Sequence, residues 1–252
     1  MANDFSQKHV LITGGTRGIG LACALRLAGE GARLTLNYHS REDDAHQAVA
    51  AVEAAGGQAF AVAGDVSQPG EVQRFVGLAR EQFGPVEMLV ASAGVSFPMP
   101  ASDVTWEVWK KTLDVNLDGV FNAVYGVIEE MIERRFGRIV TISSIAGLRE
   151  REQQMPYSVS KAGVIAMTRC CAEAWGPHNV RINCVSPGLT ETEMAHTLSP
   201  EVHEAIISAT PLRRIGQPHE TAALIRFLLS EESSYTTGQT MVASGGRVML
   251  PG

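Results

Sequence analysis

A short apolar run, Val10-Leu11-Ile12-Thr13, stops at Gly14-Gly15-Thr16-Arg17-Gly18-Ile19-Gly20, and a helix-forming segment, Leu21 to Ala28, follows at once and is closed by Gly29 and Gly31. A strand without polar alternation is buried on both faces, which is the situation of a strand in a parallel sheet covered by helices. Glycines between such a strand and a helix allow a tight turn and a close approach of ligand to backbone. The first turn of the helix then offers free N–H groups and partial positive charge to a pyrophosphate. A tight connector that binds nothing would use the same glycines. Position favours the binding role, since the turn follows the first strand directly, with the spacing Gly-x-x-x-Gly-x-Gly in place of the commoner Gly-x-Gly-x-x-Gly.

The pattern continues as strands at 33–38, 58–63 and 86–91 alternating with helices at 44–55 and 71–83, and with a long helical stretch at 106–132. In that stretch Leu113, Leu117, Val120, Phe121, Val124 and Ile128 recur at helical spacing. Strands at 138–144 and 181–188, helices at 156–175 and 220–229, and a closing Thr237-Gly238-Gln239-Thr240 complete it. This predicts an α/β protein, a single-domain Rossmann-type doubly wound parallel sheet with helices on both faces. At 252 residues one core suffices. The expected division is one domain over 1–252, with 1–145 mainly the cofactor-binding half and 146–252 carrying the catalytic pair, a substrate lid and the last strand.

Composition narrows the function. With 45% hydrophobic and 19% charged residues the chain is that of a soluble globular protein. A net charge of −6 without clustered Lys and Arg argues against a nucleic-acid surface. Cys23, Cys170, Cys171 and Cys184 lack Cys-x-x-Cys spacing, so neither a metal site nor a disulfide is expected. The start, Met-Ala-Asn-Asp-Phe-Ser-Gln-Lys-His, has no apolar region after a basic one, and no apolar run is long enough to span a bilayer. The expectation is a cytoplasmic protein with no membrane partner.

Met155-Pro156-Tyr157-Ser158-Val159-Ser160-Lys161 places a phenol and an ammonium four residues apart. Pro156 suits the opening of a helix, which would stack Tyr157 and Lys161 on one face. A unit charge at about 4 Å with an effective dielectric of about 20 is worth roughly 4 kcal/mol, or about three pK units, against a free phenol pKa of ~10. The expectation is a phenol that exchanges protons near neutral pH. A bare Tyr-x-x-x-Lys is equally a half-buried aromatic beside a solvated charge. Here it is accompanied, in chain order, by the glycine turn, by Asn116 and by Ser143-Ser144 at a strand end thirteen residues before the tyrosine.

Thr13 to Gly20, Asn116, Ser144 and Tyr157 with Lys161 together resemble the short-chain dehydrogenase/reductase family over nearly the whole chain. The resemblance implies reversible hydride transfer between a nicotinamide cofactor and a carbonyl. Tyr157 would donate the proton, Ser144 hold the substrate oxygen, and Lys161 lower the phenol pKa and bind the nicotinamide ribose. Asn116 would hold a water leading to solvent. It implies cofactor contacts from Gly14, Thr16, Arg17, Gly18, Ile19 and Gly20, from Asp65 and Val66 against the adenine, and from Ala93 and Gly94. Pro187, Gly188 and Thr192 would face the nicotinamide. Asp65 is also the kind of residue that simply caps a helix or turn.

At the end of the second strand, where an acidic residue would bind the ribose of NAD, stand Tyr38, His39, Ser40 and Arg41. With Arg17 they offer two guanidinium groups and a hydroxyl to a 2′-phosphate, so NADPH/NADP is expected in preference to NADH. Solvated surface arginines are the alternative. The chain departs from the family at Ala91-Ser92, where Asn-Asn is usual, at Leu189 and Thr190, and at Ser244, where aspartate is common. The first departure removes amide hydrogen bonds that tie this strand end to its neighbours.

The glycine turn and Arg213-Arg214-Ile215-Gly216-Gln217-Pro218 look most like the 3-oxoacyl-acyl-carrier-protein reductases of the family. This implies a 3-oxoacyl thioester substrate on an acidic carrier protein, for which Arg134, Arg135 and Arg138 would be docking residues or mere helix-end charge. The alternatives are a reductase or dehydrogenase of a free small ketone, sugar or polyol, and a non-catalytic binding or scaffold protein on the same fold. The charged loop at 148–154 is expected at the substrate entrance, and 193–212, with two prolines, suits a mobile lid. The helices at 106–132 and 156–175 carry more apolar surface than one sheet face can cover, which points to a homotetramer or a dimer.

Overall fold

Strand β1 (His9–Thr13) is buried at every residue, and the chain is laid out to either side of it. The computed structural model describes residues 5–149 and 151–249, the side chain of Thr197 excepted. Residues 1–4 of the amino-terminal segment, Glu150 of the charged loop and residues 250–252 lie outside the described residues. After β1 come α1 (Gly18–Ala28), β2 (Arg33–Tyr38), α2 (Glu42–Ala54), β3 (Gln58–Ala63), α3 (Pro69–Phe83) and β4 (Met88–Ala91). Then follow α4 (Trp106–Leu113), α5 (Gly119–Glu133), β5 (Gly137–Ile142), α6 (Met155–Trp175), β6 (Val180–Pro187), α7 (Pro200–Ser208), α8 (Pro218–Leu229) and β7 (Thr240–Ala243).

Among the described residues the strands form one seven-stranded sheet in the order β3-β2-β1-β4-β5-β6-β7, and each neighbouring pair is parallel. The chain winds outward first on one side of β1 and then on the other. The reversal lies between β1 and β4, which leaves a crevice at their carboxyl ends. Alternating strand residues feed two cores, as the pleat requires. Leu11, Leu89, Ile139 and Ile182 pack toward α3, α5 and α6 with Phe75, Val124 and Val164. Val10, Ile12, Val90 and Val140 pack toward α1, α2 and α8 with Leu27, Val52 and Ile225.

Helices α2, α3 and α8 each begin two residues earlier than expected, and α1 three. The start of α2 gathers Glu42, Asp43 and Asp44 in a first turn where negative charge opposes the helix dipole, and Pro69 opens α3. A larger correction concerns 106–132, which is not one helix: a π-helical turn, Asp114–Asp118, joins α4 to α5. The expected lid contains α7, whose amino end is capped by Ser199.

Arg138 is also corrected. It is 3% exposed, donates to Glu231 Oε1 at 3.1 and 3.0 Å and to the Asn179 carbonyl at 2.9 Å, and so is not on a docking surface. Arg134 and Arg135 donate to the carbonyls of Val86 and Pro177. In register with Arg138 on the next strand, Arg181 is 6% exposed. It donates to the carbonyls of Leu228 (3.0 Å), Ser230 (2.8 Å) and Ser233 (3.0 Å) and to Ser233 Oγ (2.8 Å). Burial and the neighbouring Arg138 charge pull its pKa down to about 10, against the opposing pull of Glu231. A cation at the carboxyl end of α8 satisfies carbonyls the helix cannot and complements its dipole. Arg181→Met removes four hydrogen bonds and leaves these carbonyls only the Ser233 hydroxyl and the Ser233 and Thr236 N–H groups, and is expected to cost roughly 1–3 kcal/mol in a urea titration with near-native circular dichroism. A loss below about 1 kcal/mol would mean that solvent replaces the guanidinium.

Candidate active site

A cleft of about 670 Å³ opens along the carboxyl edge of the sheet, from the glycine turn to α7. Of the residues expected to act in catalysis or to bind the cofactor, all but Gly20 and Asn116 line it. At the turn, Gly14 has φ +62°, and a Cβ there would lie 3.0 Å from the Ala93 backbone. A Cβ on Gly20 would lie 2.2 Å from the Gly14 carbonyl oxygen, so this glycine shapes the turn from behind. No side chain caps the first turn of α1, which leaves its N–H groups for solvent or ligand.

Beyond β5 the two serines diverge, as adjacent extended residues must. Ser143 Oγ donates to the Lys161 carbonyl at 2.7 Å. Ser144 Oγ accepts from Ala146 N at 3.1 Å and lines the cleft together with Tyr157. Pro156 lies in the first turn of α6, and Tyr157 and Lys161 stand on one face of it, with Lys161 Nζ 5.7 Å from the centre of the phenol ring. Lys161 is 4% exposed, and its Nζ donates to the Ile142 carbonyl at 2.9 Å.

Here the electrostatic expectation is corrected. Loss of solvent around Tyr157 pushes its phenol above the ordinary value, and the Ser144 hydroxyl and the Arg151 charge only oppose this. Burial likewise pulls Lys161 down to about 8. The lysine is aimed at a backbone carbonyl and sits over the ring, so its charge does not acidify the phenol as the four-residue spacing suggested. The nearby cation that does favour phenolate is Arg151, in the charged loop, which the sequence placed only at the entrance.

Asn116 is fully buried within the π-helical turn. Its Oδ1 accepts from Val95 N at 2.8 Å, and its Nδ2 donates to the Val95 carbonyl at 2.9 Å and to Ser160 Oγ at 3.2 Å. Both amide donors are therefore spent on protein, and the implied water could use only the remaining acceptor capacity of Oδ1. A Cβ on Gly94 would lie 3.2 Å from Asn116 Oδ1 and 3.5 Å from Lys161 Nζ, so glycine keeps space between them. The missing asparagines at 91 and 92 are partly offset by Thr13 Oγ1, which accepts from Ser92 N (3.1 Å) and Ala93 N (3.3 Å). Ser244 closes its own turn, its hydroxyl donating to the Val248 carbonyl and accepting from Val248 N.

At the far end of the cleft, Asp65 Oδ1 accepts from Ser67 N and Oγ at 2.9 and 2.7 Å, while Oδ2 lies 3.6 Å from His39 and 3.8 Å from Lys111. Burial works against its charge, but the Ser67 bonds, with Lys111 and His39 nearby, hold the carboxyl below its ordinary range. Asp65 is thus a turn residue with one oxygen still facing the cleft. Arg17 and Arg41 both reach Glu193, a residue that the sequence reading did not single out. Lys111 was likewise missed. Only long-range pairing identifies either, and local spacing carries no signal for it. Among the described residues no three His, Cys, Asp or Glu side chains gather as metal ligands, and no helix is long and apolar enough to cross a membrane.

The lowered Lys161 pKa has a thermodynamic consequence. Below about 8 the folded protein carries a buried ammonium, and between about 8 and the ordinary 10.5 the unfolded chain binds more protons than the folded one. Stability conferred on folding therefore rises with pH through that window. Lys161→Met removes the penalty, so its unfolding free energy relative to the parent is expected to be most favourable at pH 7 and to fall toward pH 10, measured by denaturant titration without cofactor. An advantage independent of pH would contradict a neutralised buried lysine.

The profile of the family described as enoyl-(acyl carrier protein) reductase matches residues 14–247. A 3-oxoacyl-[acyl-carrier-protein] reductase of Synechocystis sp. is 38% identical over 241 residues, covering 95% of this chain and 96% of that protein. The crystal structure of a short-chain type dehydrogenase/reductase from Mycobacterium marinum is similar with a TM-score of 0.94 at 31% identity, covering 98% of each chain. That of levodione reductase is similar with a TM-score of 0.93 at 32% identity, covering 96% of this chain and 98% of the other. With likeness of sequence and of architecture running nearly end to end, the chain belongs to the short-chain dehydrogenase/reductase family and is an NAD(P)-dependent oxidoreductase resembling the 3-oxoacyl-[acyl-carrier-protein] reductases.

Proposed function

We propose that the protein reduces a carbonyl to a secondary alcohol with NADPH, the substrate being a 3-oxoacyl thioester carried on acyl carrier protein. The observation that carries this reading is that Ser144 and Tyr157 line one cleft that also holds the glycine turn and three arginines. The cofactor fits what lines that cleft: a glycine at the Ala93 contact, an uncapped helix end for the pyrophosphate, and Arg17 and Arg41 for a 2′-phosphate. When bound, the reduced nicotinamide supplies the hydride.

The chain's own residues do the rest. Ser144 Oγ holds the carbonyl oxygen, and Tyr157 delivers a proton to that oxygen as negative charge develops on it. A phenol whose pKa is raised keeps its proton at neutral pH, which is the state that reduction needs. Lys161, fixed through the Ile142 carbonyl, borders the cleft and would hold the cofactor ribose, and Asn116 holds the Val95 backbone that forms part of the wall. Thr192, Pro187 and Gly188 line the cleft and would face the nicotinamide. Tyr157→Phe is expected to lower kcat by about 10²-fold or more while the Kd for NADPH, by fluorescence titration, moves little. An unchanged kcat would remove Tyr157 from the reaction.

With Arg138 buried, an acidic carrier would meet a different basic rim. Arg151 lines the cleft, and burial together with the Arg149 and Arg247 charges lowers its pKa, which places three guanidinium groups near one another at the substrate side. A second reading, a free small ketone as substrate, is favoured by the same Arg151, which pairs with no carboxylate among the described residues, and by the likeness to levodione reductase. Steady-state assays separate these readings. An acetoacetyl thioester is expected to be reduced with higher kcat/KM than acetoacetate or uncharged diketones, and with NADPH in preference to NADH. The reverse order of substrates would establish the second reading, and cofactor binding without turnover of any carbonyl would leave a binding protein.

Self-association belongs to the same proposal. Phe121 and Tyr125 on α5 are 43% and 53% exposed, stacked at 4.2 Å, with Trp175 of α6 5.9 Å from Tyr125. Such an aromatic face suits a homotetramer or dimer in the cytoplasm.

A further inference from the structure

Glu193 follows Thr192 at the start of the segment that leads into α7, and its carboxylate reaches across the cleft. Oε2 lies 2.5 Å from Arg17 Nη1 and 2.9 Å from Arg41 Nη1, and Oε1 accepts from Arg41 Nη1 at 3.2 Å. One carboxylate thus joins the glycine turn before α1, the start of α2 and the lid. Arg41 has a second acid, Asp44, at 3.4 Å. For Arg17, Glu193 is the anion within reach among the described residues. The three side chains are 51%, 56% and 54% exposed, so water and ions can reach the cluster.

We propose that Glu193 is a specificity-determining residue that occupies the 2′-phosphate position in the unliganded protein, competes with that phosphate for Arg17 and Arg41, and releases the lid when displaced. The inference rests on the NADPH reading and goes beyond it. A carboxylate and a phosphate offer guanidinium groups the same kind of charged oxygen acceptor, so both cannot hold the same two forks. The phosphate carries the larger charge and repels a carboxylate left beside it. NADH lacks that group and leaves the Glu193 pairs intact. Beyond Glu193 the segment continues to Leu198 and to Ile206 on α7, which line the same cleft. Displacement of the carboxylate therefore links the adenosine end of the cofactor to the substrate wall without a contact between the two.

Exposed ion pairs are each worth at most a few-fold in an equilibrium constant, which sets the size of the effect. The probes are 2′,5′-ADP and 5′-AMP, which differ by the one 2′-phosphate and lack the nicotinamide. By calorimetric titration the parent protein is expected to bind 2′,5′-ADP more tightly than 5′-AMP, and Glu193→Gln to widen that ratio by about two- to five-fold. Hydrogen exchange in residues 193–208 is expected to rise when 2′,5′-ADP binds the parent and not when 5′-AMP does. In Glu193→Gln it should already be high. Equal tightening for both nucleotides, or weaker binding of 2′,5′-ADP to the variant, would overturn the competition, the latter by showing that Glu193 orients the arginines for the phosphate. If the parent itself prefers 5′-AMP, the NADPH reading fails and this inference falls with it. A normal parent preference combined with an unresponsive variant condemns the inference alone.

Discussion

Lys161 gives a hydrogen bond from its ammonium to the Ile142 carbonyl at 2.9 Å, while its own backbone carbonyl receives one from Ser143 at 2.7 Å. The end of β5 and the first turns of α6 are thus joined twice through one residue. Ser144 is the next residue along the chain from Ser143, and Tyr157 is one helical turn before Lys161, so this joint sets where the two hydroxyls of the site can meet. Since the ammonium is buried, it is held there at the expense of its own charge. Around it the environment is shaped by absence of side chain as much as by contact. Gly94 leaves room beside Nζ, and a Cβ on Gly147 would lie 2.7 Å from the Lys161 backbone carbon, so the loop after Ser144 can cross α6 only without one.

Parts of this arrangement were legible in the sequence because they are local. A buried run, a glycine turn and a helix in succession mean the same thing wherever they occur, and the alternation that follows left little choice but a doubly wound sheet. Divergence of Ser143 and Ser144 followed from the pleat alone. The four-residue spacing of Tyr157 and Lys161 correctly placed both on one face, but spacing carries no information about where a flexible ammonium points or how much solvent it loses. The direction of the phenol shift was therefore misjudged: desolvation outweighed a charge that turned out to be aimed elsewhere. Arg138 was misread for the related reason that a basic residue beside a helix end looks solvated until its strand is placed in the middle of a sheet. Glu193, Lys111 and Arg151 are close to their partners only after folding, across intervals that no local pattern spans.

Departures from the family pattern are absorbed by neighbours. At residues 91 and 92 the lost amides are replaced in part by the Thr13 hydroxyl, which belongs to the adjacent strand and accepts from two successive N–H groups. Asn116 and the Val95 backbone form a reciprocal pair just beyond. The strand end that lost its usual ties is thus held from both sides by groups already present, and Ala93 and Gly94 remain where the cleft wall needs them.

The π-helical turn at Asp114–Asp118 fits one more residue into its winding than an α-helix would. Each residue advances an α-helix by roughly 100° of azimuth, so this surplus decides the angular phase of the whole of α5 relative to α4. Excising a single residue there would restore an unbroken cylinder, yet swing the Phe121–Tyr125 stack toward a different neighbour and carry Asn116 away from Val95. A local irregularity in the backbone thus acts as a gear tooth, setting the catalytic interior and the outward aromatic face in step.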